Sequence, residues 1–206
     1  MIYLFLDPDD YLLSRRLAVL KAAMGDLEMA DLNVTELTGA RTDAADILYH
    51  AGTMPFLANR RMVIVRDYLS QLDKRMGASK GTDSAAHNEA ARLFADMDDL
   101  PASNDLIFVE SGVDKRRHLW KGFSGERGAT PGLAELTASG RVALEELATP
   151  DVRQLGNWIG RTAKEQGIAI EGPAVQMLAN FVGPNLRQLV NELEKLSLYA
   201  GDWAIT

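Results

Sequence analysis

The 206-residue chain contains no cysteine. Disulfides, thiol catalysis and thiolate metal sites are therefore excluded, and a reducing compartment suits it. Its three histidines, His50, His87 and His118, stand far apart along the sequence. No H-E-x-x-H occurs, so no metal site is expected. No apolar run approaches the roughly 20 residues of a membrane span. The opening Met1-Ile2-Tyr3-Leu4-Phe5-Leu6-Asp7 lacks the basic segment and cleavage site of a secretory signal. A cytoplasmic location with no membrane partner is expected. The serine-hydrolase elbow G-x-S-x-G is also missing; Gly122-Phe123-Ser124-Gly125 falls one residue short.

The most telling absence lies at the first turn. Ile2–Leu6 reads as a buried strand and is followed by an acidic turn and an apolar-periodic helix. That is how a nucleotide-binding α/β domain opens, and such a domain carries G-x-x-x-x-G-K-[ST] at this turn. Here the turn is Asp7-Pro8-Asp9-Asp10-Tyr11, without glycine or lysine. Three carboxylates repel a triphosphate where a cradle of N–H groups is needed. No catalytic residue and no cofactor is expected, and the reading points to an interaction protein. The net charge of −7 argues against a surface that binds nucleic acid as a whole, so any DNA contact must use a local patch.

Along the chain, the spacing of Leu12, Leu13, Leu17, Leu20 and Met24 predicts a helix from about Pro8 to Met24, capped by Asp7 and closed by Gly25. Asn33–Thr38 alternates as a strand. Thr42 or Asp43 caps a short helix to about Ala51. The segment Gly52–Arg61 is a loop holding Met54, Phe56 and Leu57. Met62–Val65 is a continuous apolar run expected as a central strand buried on both faces, and Leu106–Glu110 reads as another buried strand. Met76–Ser84 reads as a polar loop, 85–96 as a helix, and Asp114–Phe123 as a basic helix. Ser124–Gly140, rich in small residues, reads as a flexible insertion before a last strand at Arg141–Leu144. From Thr149 the pattern is purely helical. Thr149 caps the first helix there, whose periodic positions are Val152, Leu155, Ile159 and Ala163. Breaks follow at Gly167, Gly172-Pro173, Gly183-Pro184 and Gly201. Strands alternating with helices imply a mostly parallel α/β domain over residues 1–147, followed by three helices over 148–206.

Other sites of potential chemistry read as ordinary surface. Lys80-Gly81-Thr82 has the wrong order for a phosphate loop and no strand leading into it. Asp98-Asp99 and Glu145-Glu146 are adjacent pairs that diverge rather than converge. Asp67 stands where an ATPase keeps a magnesium carboxylate, but alone it reads as a strand-end residue. Asn33-Val34-Thr35 matches a glycosylation sequon by chance.

Several stretches together resemble one family. They are 1–6; Asn33-Val34-Thr35-Glu36-Leu37; Met54-Pro55-Phe56-Leu57-Ala58-Asn59-Arg60-Arg61 with Met62-Val63-Ile64-Val65; Val113-Asp114-Lys115-Arg116; and Gly183-Pro184-Asn185-Leu186-Arg187 running on to Leu196. In order and spacing they resemble the delta subunit of the bacterial DNA polymerase III clamp loader. The resemblance implies an AAA+-like fold with a degenerate nucleotide site over residues 1–147 and a small three-helix lid domain over 148–206. It also implies a non-catalytic role in DNA replication, as part of a DNA-directed DNA polymerase holoenzyme. The family's delta subunit grips the sliding clamp (the beta subunit) and holds its ring interface open. Its apolar wedge maps onto Phe56 and Leu57, with Met54 and Pro55 beside them.

The residues themselves leave alternatives open. Phe56 and Leu57 enter a partner's pocket or pack beneath their own sheet. Arg60 and Arg61 touch the clamp rim or flank a strand. Lys115, Arg116, Arg117 and Lys121 contact primer–template DNA or form a solvated face. Arg187 makes a salt bridge or meets a neighbouring subunit. Family members continue into a further helical collar domain, whereas this sequence stops at Thr206. Assembly with the other loader subunits is therefore expected to be weakened or lost, while clamp contact persists. Two rival functions are a nucleotide-hydrolysing AAA+ enzyme with an atypical phosphate site and a stand-alone DNA-binding module.

Overall fold

Five parallel strands organise the first of two units in the computed structural model, which describes residues 1–25, 27–79, 84–125 and 128–206. The units are Met1–Leu147 and Ala148–Thr206. In the first, β1 (Ile2–Leu6), β2 (Val34–Thr38), β3 (Arg61–Arg66), β4 (Asn104–Glu110) and β7 (Ala143–Glu146) pair in the order β2-β3-β4-β1-β7. All four pairings are parallel. The central strands read as unbroken apolar runs because both their faces are covered. On one face Leu4, Val63, Val65, Leu106 and Phe108 join a core. That core is completed by α3 (Ala44–Gly52), α4 (Tyr68–Ala78), α5 (Ala85–Asp96), α6 (His118–Lys121) and α7 (Leu133–Ala138). On the other face Tyr3, Phe5, Met62, Ile64 and Ile107 pack with α1 (Asp10–Ala22) and with Ala30 of α2 (Leu27–Leu32). The alternation follows from the two-residue period of a strand.

Several boundaries differ from the sequence reading. The cap of α1 is Asp9, not Asp7, because Asp7 takes up a left-handed backbone (φ 44°) that turns the chain before the helix begins. Leu12 and Leu17 are half-buried rather than buried. Helices α2 and α4 have no counterpart in the sequence reading. The loop expected at Met76–Ser84 begins as the last turn of α4, and its centre, 80–83, lies outside the described residues together with the phosphate-loop reading there. The basic helix shrinks to His118–Lys121 because Asp114 caps a turn instead, accepting the Arg116 N–H at 2.9 Å. The supposed flexible insertion is ordered in its described part. It holds a hairpin of β5 (Phe123–Gly125) and β6 (Gly128–Thr130), then α7, whose Leu133 and Leu136 are buried in the core. Those two leucines are its apolar anchor among small residues. Glu145 is not merely solvated, since Arg16 grips it through two hydrogen bonds.

The second unit contains α8 (Val152–Glu165), α9 (Gly172–Val182) and α10 (Leu186–Ala200). Leu155, Trp158, Ile159, Leu178, Leu189, Val190 and Leu193 are buried. The cap of α8 is Asp151, whose carboxylate accepts the Gln154 N–H, so Thr149 and Pro150 precede the helix and Val152 is exposed. A single parallel bridge joins Ile170 to Ile205.

Candidate functional site

Between α3 and β3 runs the loop Thr53–Arg60. Apolar side chains at a loop tip normally turn inward, since exposure forfeits the transfer free energy. Here they do not. Met54, Phe56 and Leu57 are 67%, 60% and 74% exposed, and Pro55 is half-buried. Leu57 also has φ +50°. A left-handed backbone costs a branched residue about 1–2 kcal/mol. The sequence thus keeps a strained, water-facing leucine where glycine would cost less.

The backbone beneath these side chains is held at several points. Asn33, fully buried just before β2, uses its amide on both sides. Its Oδ1 accepts the Phe56 N–H at 2.6 Å, and its Nδ2 donates to the Phe56 carbonyl at 2.7 Å and to the Met29 carbonyl at 2.8 Å. Asn104, buried at the start of β4, donates to the carbonyls of Ala51 and Thr53 at 2.6 and 2.8 Å. At the far end Arg60 grips buried Asp105 through two hydrogen bonds of 2.9 and 2.7 Å. Those bonds raise the Arg60 pKa above its ordinary value. Arg61 donates to the His50 carbonyl and to Thr35 Oγ1. Arg60 therefore ties the end of the loop to β4, and Arg61 ties α3 to the β2–β3 edge of the sheet. Removing Arg60 would leave Asp105, 3% exposed, with only the N-terminal ammonium 3.2 Å away. Arg60→Ala is expected to lower the unfolding free energy by about 2 kcal/mol, the scale of depriving a buried acceptor of its main partner while the ammonium stays beside it. Urea unfolding measures it, and an unchanged midpoint would contradict it.

The acidic turn after β1 has a different character. The Asp9 carboxylate accepts the N–H groups of Tyr11 and Leu12 at 2.9 and 3.2 Å. It occupies the helix N-terminus at which an ATPase binds phosphate. Asp7 N–H donates to the Glu110 carbonyl, Asp9 N–H to the Leu147 carbonyl, and the Asp7 carboxylate accepts the Gly112 N–H. The N–H groups of Asp7, Asp9, Tyr11 and Leu12 are thus engaged within the protein.

The basic segment is interleaved with acid. Arg116 is paired with Asp114, and those hydrogen bonds hold the Asp114 carboxyl down at about 2. Arg117 reaches both Asp114 and Asp73, the latter a carboxyl whose pKa burial raises. Lys115 sits over the Trp120 ring, 5.2 Å from its centroid, and 3.8 Å from Glu146. Lys121 is exposed at the end of α6. Arg187 is exposed in the first turn of α10, where a cation opposes the helix dipole.

The sequence reading singled out the apolar tips but missed Asn33 and Asn104 as their anchors. The only signal was an asparagine directly before an apolar strand, a position equally suited to an exposed turn.

A parallel sheet with helices on both faces and a self-capped turn at the phosphate position defines the class: an α/β module of AAA+-like fold. A family model described as DNA polymerase III, delta subunit matches residues 3–126, more than half of the chain. The chain belongs to that family. Among solved structures, the Bacillus subtilis DNA clamp loader delta protein superposes with a TM-score of 0.71 at 18% identity, over 100% of this chain and 55% of that one. This chain thus spans about half the length of that relative, and the likeness is one of fold. More distant are a Thermotoga maritima DNA polymerase III gamma subunit-related protein (TM-score 0.46, 15% identity, 95% and 54% covered) and the RuvB Holliday junction branch migration motor of the same organism (0.45, 13%, 99% and 57%). No curated protein matches the chain in sequence. Among the described residues, no helix is long and apolar enough to cross a membrane.

Proposed function

We propose that this chain is a non-catalytic clamp-loader module that grips a sliding clamp, the beta subunit of a DNA polymerase III holoenzyme, in the cytoplasm and helps hold its ring open. The loop Thr53–Arg60 is the grip, and Phe56 and Leu57 are the wedge. One observation carries the reading: large apolar side chains face water on a backbone pinned by two buried asparagines, and one of them sits in a strained conformation. Pre-ordered apolar anchors of this kind bind well because little freedom remains to be lost. Met54 and Pro55 border the contact, Arg60 and Arg61 brace it from behind, and Arg187 meets a neighbouring loader subunit.

The rival readings have less support. Nucleotide hydrolysis needs free N–H donors at the first turn, and Asp9 caps its own helix there. Phosphate contacts to DNA need unneutralised positive charge, and Arg116 and Arg117 both face carboxylates.

Leu57→Gly separates fold from function. Strain relief of about 1–2 kcal/mol is largely offset by the roughly 0.5–1 kcal/mol entropic cost of glycine. Stability is expected to stay level or rise slightly. Clamp affinity, measured by surface plasmon resonance against the clamp of the same organism, is expected to fall about tenfold or more, as loss of a buried leucine implies. A variant that binds like the parent would remove Leu57 from the wedge. A parent that does not bind would sink the proposal itself.

A further inference from the structure

We infer that Asn33 is a positioning residue for clamp binding: its side-chain amide clasps the backbone of Phe56 and sets the angle at which the wedge is presented. The inference rests on the clamp-gripping reading above.

Asn33 lies outside the loop, 23 residues before Phe56. It stands at the junction of α2 and β2, with none of its surface exposed. An asparagine offers one acceptor oxygen and a two-hydrogen donor. The oxygen takes the Phe56 N–H and the nitrogen serves the Phe56 carbonyl, so one planar group binds both polar atoms of one residue. That pair of bonds fixes the peptide planes on either side of Phe56. The remaining donor goes to the Met29 carbonyl and ties the clasp to α2. The Asn33 carbonyl in turn accepts the Met62 N–H at 2.9 Å, so the clasp stands on the β2–β3 edge of the sheet. The wedge tip is therefore referenced to a helix and a strand rather than to its sequence neighbours alone. The Phe56 ring and the Leu57 side chain make no part of these bonds and stay available to a partner.

A leucine is too broad for this task and lacks the polar atoms. An aspartate supplies the acceptor but faces two carbonyls with negative charge. Neither preserves the clasp. The role is positional, since Asn33 is buried and cannot reach a clamp.

The test uses the full chain and combines binding with amide hydrogen exchange. In the unmodified protein the Phe56 amide should exchange slowly although its side chain is exposed. In Asn33→Ala the Phe56 amide should lose protection while Val63 and Ile64, in the central strand, keep theirs. Clamp affinity should fall about tenfold or more, the scale set by leaving a loop unanchored. The same substitution in a Phe56→Ala/Leu57→Ala background should cost no further affinity, because a residue that acts through the wedge has nothing left to act on. Should the alanine variant fail to fold, Asn33→Asp, close in shape and missing both donors, serves with the same readouts. Rapid exchange of Phe56 in the parent, unchanged affinity in the variant, or an equal loss in both backgrounds would each overturn the inference. If the Phe56→Ala/Leu57→Ala protein binds like the parent, the wedge reading fails and the clasp's role in binding fails with it. If that protein loses binding and Asn33→Ala does not, only the clasp is wrong.

Discussion

Phe56→Ala/Leu57→Ala is expected to reduce clamp affinity by about 100-fold or more while leaving the fold intact. Each side chain, buried in a pocket, contributes about 1.5–3 kcal/mol by area transfer. The pair therefore represents at least about 3 kcal/mol, and each 1.4 kcal/mol is a factor of ten. The folded chain loses little, because both side chains are more than half exposed and the clasping bonds are made by backbone atoms that alanine keeps. Surface plasmon resonance gives the affinity, and thermal unfolding shows whether the fold is unchanged. Affinity retained in a folded double variant would move the contact elsewhere. A large drop in unfolding temperature would mean that the two side chains serve the core after all.

The second large effect concerns pH. Glu110 ends β4 with no exposed surface, and its two carboxylate oxygens accept the N–H groups of Leu69 and Ser70 at 2.9 Å each. It caps α4, which Asp67 enters through a left-handed backbone without a side-chain cap of its own. Burial disfavours the charge more than the two donors favour it, and the carboxyl is pushed up to about 7 from an ordinary 4.5. Below pH 4.5 the folded and unfolded forms are both protonated and no penalty exists. Between 4.5 and 7 the unfolded chain loses the proton first, so stability falls as pH rises. Above 7 the folded state carries the full cost of a buried anion, on the order of 3 kcal/mol at about 1.4 kcal/mol per unit. Urea unfolding of the parent from pH 4.5 to 8 should show this decline. Glu110→Gln should flatten it, because the group no longer titrates. A slope equal in both proteins would assign the dependence to other groups.

These two sites show how differently the sequence speaks. The exposed Phe56 and Leu57 were legible because apolar bulk in a loop between punctuating residues is a local signal. Glu110 read only as the polar end of a strand. Its role depends on α4, an element whose apolar residues, Leu69, Leu72 and Met76, were not assembled into a helix, and on the capping that α4 needs at its entry. The same holds for Arg60 and Arg61. Two adjacent cations beside a proposed interface suggest contact with a partner, and only the position of Asp105 and the His50 carbonyl turns them inward.

By itself, then, the sequence determined the alternation of strands and helices, the buried central strands, the acidic first turn and the apolar loop. Each of those is a periodicity or a local composition, and local backbone preferences act within a few residues. The tertiary structure decided that Asp9, not Asp7, caps the first helix, that the small-residue stretch after Phe123 carries a hairpin and a helix seated on the core, and that Asn33 and Asn104 hold the backbone of the apolar loop. Those outcomes depend on where chain segments distant in sequence meet. A buried polar group must find its partner there, because leaving it unpaired away from water costs more than any local preference supplies.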